Sequence, residues 1–334
     1  MRIVASWLLV LGTPSAGAHH APTEYDFQKV VEMEGSLVEV RWRNPHVRIF
    51  MQTGVDASGK PVIVDIEGAA LSVMRRTNAT PDGLRIGDKV RVAGHPSRRG
   101  AGRLYGLSLL QADGKELLFA PGNFPRWTKA PLGSVTNWFN TNNVESSNAG
   151  LFRVWSSRFN EFLAWNPKEL PLTDAARKKA AAWDPVNDSV TQGCAPVGMP
   201  AIMDVPYPLE FVKQENAIVL RMEIYDAVRT IHMSAGARDS LEKNVFGRSI
   251  GRWEGDTLVV ETDGVTWPYF DHLGTPLSVA TTIVERFTPT TDGSHLQYKM
   301  IVTDPETFTQ PIELTRSWMA RANESVKPYE CTER

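Results

Sequence analysis

The sequence predicts a mainly β protein: an OB-like five-stranded barrel, then a second antiparallel β-barrel or cup, joined by a connector with short helices. Three observations carry this. Apolar and polar residues alternate over short runs in both halves, the period of a strand with one face buried. Twenty-two prolines and 25 glycines interrupt the 334-residue chain, favouring short strands over long helices. Turn pairs such as Gly87-Asp88, Asp113-Gly114, Gly255-Asp256 and Asp292-Gly293 fall between the alternating runs.

Along the chain, residues 1–18 have the pattern of a secretory signal peptide. Arg2 supplies a positive charge, Ile3 to Leu11 is apolar, and Ala16-Gly17-Ala18 offers a small-residue cleavage site. The apolar run is much shorter than the ~20 residues a membrane span needs. Cleavage would leave a mature chain starting at His19 in the periplasm or outside the cell. The two cysteines, Cys194 and Cys331, suit that compartment, where an even pair is more often a disulfide than two thiols. Neither has a nearby histidine in sequence to make it a nucleophile.

Residues 19–119 form the first expected module. Strands are read at Val30 to Trp42, His46 to Thr53 and Pro61 to Glu67, then a short helix within Gly68 to Thr77, then strands at Lys89 to Gly94 and Leu104 to Leu110. Three strands, a helix and two strands is the element order of an OB fold. The 120–193 stretch is a connector with Trp127, Trp138, Trp155, Trp165 and Trp183 set among Asn, Ser and Pro. Thr173-Asp174 caps a helix from Ala175 to Trp183 that stops before Asp184-Pro185. Such large rings call for burial, so the connector is expected to wrap onto the second module, or to line a ligand cleft. In 194–334, Ala217 to Tyr225 alternates, Arg248 to Thr262 reads as a hairpin, Thr282 to Phe287 pairs with Leu296 to Val302, and Gln310 to Met319 supplies a last strand.

The first module resembles DUF6152, an exported bacterial family of unknown function, over roughly residues 18–119. The likeness rests on Ala18-His19-His20, Tyr25-Asp26, Gly35-Ser36-Leu37-Val38, Trp42-Arg43-Asn44-Pro45-His46 and Gly87-Asp88-Lys89-Val90. The second half is similar to a β module of uncharacterised exported bacterial proteins. Its matching residues are Gly193-Cys194-Ala195-Pro196, Arg229-Thr230-Ile231, Ser249 to Val260, Glu285-Arg286-Phe287 and Tyr329-Glu330-Cys331. Where those relatives carry histidines, this chain has Met233-Ser234-Ala235 and Gly274-Thr275-Pro276-Leu277-Ser278. Neither likeness implies an activity.

Hydrophobic residues at 42% and charged residues at 22% exclude wholesale disorder, and 36 basic against 38 acidic residues argue against nucleic-acid binding through a basic surface. Arg98-Arg99 with Arg103 reads as a solvated loop. The sequence lacks a G-x-S-x-G elbow, a P-loop, a dinucleotide fingerprint and H-E-x-x-H. The leading expectation is therefore an exported binding or accessory protein that holds a small, partly apolar ligand in its C-terminal β domain. A rival is a lyase, hydrolase or isomerase without an organic cofactor, using Glu223, Arg229 and His232 as acid, base and anion-orienting groups. Its case is that Arg221 and Glu223 share a strand face, which would bury them if that face lined a cup. A third expectation is copper binding: the α-amine and imidazole of a mature N-terminal His19, with His20 or His46, offer the nitrogen set Cu(II) favours.

Overall fold

In the computed structural model, residues 24–98, 100, 102–129, 131–133, 150–156, 169–184, 188, 194–321 and 324–332 are described. The first module has strands β1 (Val31–Arg41), β2 (Arg48–Val55) and β3 (Pro61–Glu67), the helix α1 (Leu71–Arg76), then β4 (Lys89–Pro96), β5 (Arg103–Leu110) and β6 (Glu116–Leu118). β1 pairs with both β2 and β4, β5 runs antiparallel to β4, and a parallel β3–β5 pairing closes five strands into a barrel. That is the OB-like arrangement expected. β1 must bend to serve two neighbours, and Gly35 lies at the tight spot: a Cβ there would sit 2.4 Å from the Gln52 carbonyl oxygen. The lumen is mostly aliphatic, with Ile49, Met51, Ile66, Val92, Leu104 and Leu109 almost fully buried and Phe119 packed at Gly106. Each such side chain contributes roughly 1.5–3 kcal/mol by leaving water.

The second module is a closed nine-stranded barrel. Its strands are β7 (Val154–Ser156), β8 (Leu209–Lys213), β9 (Ala217–Met222), β10 (Ala227–His232), β11 (Arg248–Glu254), β12 (Thr257–Asp263), β13 (Thr282–Pro289), β14 (His295–Thr303) and β15 (Ile312–Ala320). Neighbours are antiparallel except β10 and β11, which run parallel across a crossover carrying the 3-10 turn Ala235–Ser240. β7 comes from the stretch read as connector: Trp155, opposite Ala320 and Leu209, joins β15 to β8 and completes the ring. The helix α2 (Asp174–Ala182) starts at Thr173, whose hydroxyl accepts from the Ala176 amide at 3.2 Å. Leu172 bridges to Phe308, so this part of the connector does lie on the second module. The Trp127 end does not: the Trp127 amide donates to Glu116 at 2.9 Å, and Arg91 lies over its ring at 5.3 Å. Trp138 and Trp165 fall outside the described residues.

The second lumen is filled. Phe211, Phe287, Tyr298 and Trp318 touch in series, with ring centroids 5.0, 4.7 and 4.9 Å apart. The buried turn Ala201–Asp204 plugs it, held by Arg316, which donates to the Met203 carbonyl at 2.9 Å. Cys194 and Cys331 form a disulfide, as the cysteine count suggested. It ties the C-terminal tail, residues 324–332, against both barrels: Asn44 of the first donates to the Tyr329 carbonyl, and the Tyr329 amide donates to Asp226 of the second at 2.9 Å.

Candidate functional site

Alternation alone aims Arg229 inward on β10, and there it meets a complete set of partners. It forms a two-pronged pair with Glu285 (Nη1–Oε1 3.0 Å) and donates to Ser249 at 3.0 Å and Thr262 at 2.8 Å. Tyr298 donates to the same Glu285 carboxylate at 2.7 Å. Burial first, then the Glu285 charge, hold the Tyr298 phenol well above its ordinary pKa, so it stays a neutral donor. Every residue here is buried and hydrogen-bonded within the cluster, which makes it a structural staple, and Arg229 and Ser249 also border a pocket of about 230 Å³.

Glu223 and His232 lie elsewhere. β9 ends at Met222, because Tyr225 and Asp226 take left-handed backbone angles (φ 54° and 51°) and turn the chain away. Glu223 therefore leaves the face it was expected to share with Arg221. Arg221 is exposed and pairs with Glu210 at 3.3 Å, whereas Glu223 is fully buried between the barrels. There Arg76 at the end of α1 grips it (Nη2–Oε2 2.5 Å) and the Lys327 amide donates to it at 3.1 Å. His232 is half-buried on the face opposite the Arg229 side chain and lines the same pocket of about 230 Å³, with Thr230, Glu242, Asn244 and Arg248. Glu223 lies apart from the other two, whereas Arg229 and His232 both border this pocket, their side chains on opposite faces of β10.

Of the copper candidates, His19 and His20 lie outside the described residues. His46 precedes β2 and its Nδ1 lies 3.1 Å from the Gly68 carbonyl oxygen, so that nitrogen carries the proton. Its Nδ1 is 3.7 Å from Glu67. Among the described residues no three His, Cys, Asp or Glu side chains gather in a way that could hold a metal ion. Arg103 of the basic patch reaches Glu24 at 3.2 Å and Asp65 at 3.7 Å, so its charge is spent on neighbouring carboxylates.

A second concavity, about 470 Å³, is lined by Lys179, Ala182, Trp183, Asp188, Pro268, Tyr269, Gly274, Pro276 and Leu277. Trp183 follows α2, and the long segment after β12 brings the rest. The two rings meet edge-on, centroids 6.0 Å apart. Gly274 allows this: a Cβ there would lie 2.2 Å from the indole. Tyr269 is held from behind by its hydroxyl, which donates to the Asp188 carbonyl at 2.9 Å. Aromatic and proline faces with one lysine at the edge can cover a flat apolar body and meet a polar substituent.

Residues 7–107 match the model of DUF6152, a family of unknown function. The match bears out the likeness read from the Asn44-Pro45-His46 and His19-His20 elements. No curated protein matches the chain. The DUF6152 match covers the first barrel up to β5, and so reaches neither the pocket at Trp183 nor the Arg229 staple. Sequence reasoning singled out Trp183 as a ring needing a partner, but Tyr269 and Gly274 lie more than eighty positions on, with no local pattern to join them. The tight Gly274-Thr275-Pro276 turn was the only visible sign.

Proposed function

We propose that this is an exported binding or accessory protein that holds a small, partly apolar ligand in the pocket of Trp183 and Tyr269 on its C-terminal β module. The observation that carries the reading is that pocket: about 470 Å³ of space walled by two aromatic rings, two prolines and Leu277. Ligand pockets are typically of this size and mostly apolar, with a few polar groups that fix orientation. Two further facts support it. The lumen is occupied by its own side chains, so a ligand has to sit outside the barrel wall. Glu223 is held by Arg76 away from Arg229 and His232, which favours binding over acid/base catalysis by those three. The disulfide agrees with periplasmic or secreted residence after loss of residues 1–18.

Ligand-observed NMR with indole, phenol and cyclohexanol tests the reading on the full oxidised chain. Indole and phenol are expected to bind saturably, and Trp183→Ala to weaken them by about tenfold through loss of ring contact and buried area. Absence of saturable binding, or equal affinity in Trp183→Ala, would overturn the assignment.

A further inference from the structure

The crossover from β10 to β11 leaves a hollow on the outer wall of the second barrel. The two strands run parallel and share only two register pairs, Ile231 with Ser249 and His232 with Ile250. Residues 241–247 return over the outer face of β10, where alternation puts Val228, Thr230 and His232. Gly247, at φ 75°, turns this return into β11, and a Cβ there would sit 2.6 Å from the Asp263 carbonyl oxygen. What stays open is the pocket of about 230 Å³ that His232 lines. At about 30 Å³ per water in the liquid, it has room for about eight non-hydrogen atoms.

Among the described residues, its polar side chains are largely free. Those of Thr230, His232 and Glu242 make no hydrogen bond or ion pair. Asn244 accepts from the Phe246 amide at 2.8 Å through its side-chain oxygen, which fixes the group and leaves its amide nitrogen free. Arg248 gives only Nε, to Asp263 at 2.7 Å, so both terminal nitrogens are free. Asp263 also accepts from Arg238 at 3.0 Å, so one carboxylate answers two guanidiniums and Arg248 keeps part of its charge. Arg238 lies 3.8 Å from Glu261, which Arg252 pairs more closely. Asp239 and Lys243, the other charges of the crossover, are not among the lining residues.

The pocket thus carries one carboxylate, Glu242, and one guanidinium, Arg248, and no ion pair joins them across it. A simple anion would face Glu242, and a simple cation would face Arg248. A body with both charges satisfies both sides. The guanidinium fork matches a carboxylate, and Glu242 matches an ammonium group. Val228, Leu241 and Phe246 add apolar area beside them.

We infer that this pocket binds a small α-amino acid, with Arg248 and Asn244 on its carboxylate, Glu242 on its ammonium group and the apolar residues on its side chain. It shares no lining residue with the Trp183 pocket and stands whether or not that pocket is used.

Calorimetric titration of the full oxidised protein with L-alanine and L-leucine tests it. Each is compared with the analogue lacking its ammonium group (propionate, 4-methylpentanoate) and the one lacking its carboxylate (ethylamine, 3-methylbutylamine). At least one amino acid saturates, about tenfold more tightly than either of its analogues. Glu242→Gln and Arg248→Gln each weaken it by about tenfold, and Trp183→Ala leaves it unchanged. Glu242→Gln alters an exposed side chain without partners, so it reads the site even where Arg248→Gln fails to fold. No saturation by either amino acid, an analogue that binds as tightly, unchanged affinity in Glu242→Gln, or loss of binding in Trp183→Ala would overturn the inference.

Discussion

The two barrels solve the same packing problem with different chemistry. Five strands enclose a narrow lumen filled mostly by the aliphatic side chains of Ile49, Ile66, Leu104 and Leu109 with Met51, the single ring of Phe119 packing at Gly106 and Gly68. Nine strands enclose a wider one, since barrel diameter grows with strand number. There the fill is aromatic, helped by the plug at Ala201–Asp204, with an arginine–glutamate pair laid along the wall from β10 to β13. Arg229 and Glu285 meet over β11 and β12, where Ser249 and Thr262 accept from the arginine, while Tyr298 donates to the carboxylate. A buried pair of this kind adds little net stability over apolar residues but is costly to break. The sharpest way to test the contrast is to break it. Glu285→Ala leaves the Arg229 charge buried and uncompensated, and should cost about 3–5 kcal/mol in urea unfolding. Arg229→Met with Glu285→Leu should cost far less. If the single change is no worse than the double, the pair is not the staple described above.

The disulfide is the next largest difference, because it secures the second barrel's side of the junction. Its loop spans 137 residues, long enough for the unfolded chain to lose considerable freedom when the bridge forms. Cys194→Ser with Cys331→Ser should lower stability by about 2–4 kcal/mol. Amide exchange should rise in the tail around Tyr329 and leave the interior amides of β1 and β4 as protected as before. Equal acceleration in both barrels would mean that they unfold as one unit, and the comparison would collapse.

The sequence made the first barrel legible because each of its main strands is long enough to alternate and each partner lies close by in the chain. The hairpins of the second barrel were legible for the same reason: Gly255-Asp256 marks β11 and β12, and Asp292-Gly293 marks β13 and β14. β7 was not. It has three residues, and its partners on β15 lie more than 160 positions away, so no local period could announce it. Glu223 was misplaced because the strand was read to Tyr225, whereas the left-handed turn at Tyr225 and Asp226 ends it at Met222; nothing in those residue types demands that conformation. Arg229 was read as a group that orients an anion; its partner Glu285 is 56 positions on, and pattern alone cannot tell a satisfied staple from a catalytic pair.

The comparison extends to the rims, where each module fastens a loop with one buried carboxylate. In the first, Glu116 accepts from the amides of Arg126, Trp127 and Thr128 at 2.6, 2.9 and 2.8 Å. In the second, Asp304 accepts from the Ser278 amide at 2.6 Å, from the hydroxyls of Ser278 and Thr281 at 2.8 Å each, and from the Thr307 amide at 3.2 Å. Burial pushes the Asp304 carboxyl up, but these donors outweigh it and hold the group below its ordinary value of 3.8. A carboxyl held low binds protons less readily folded than unfolded. Its contribution is therefore fully present above the unfolded value and is lost as pH falls through the folded one. Asp304→Asn keeps the shape but turns one accepting oxygen into a donor, and should cost about 1–3 kcal/mol near neutral pH. That gap between parent and variant should narrow in urea unfolding at about pH 3, where the parent has begun to lose the ionised anchor. A gap that stays constant with pH would show that the loop is held by its packing and not by the charge of Asp304.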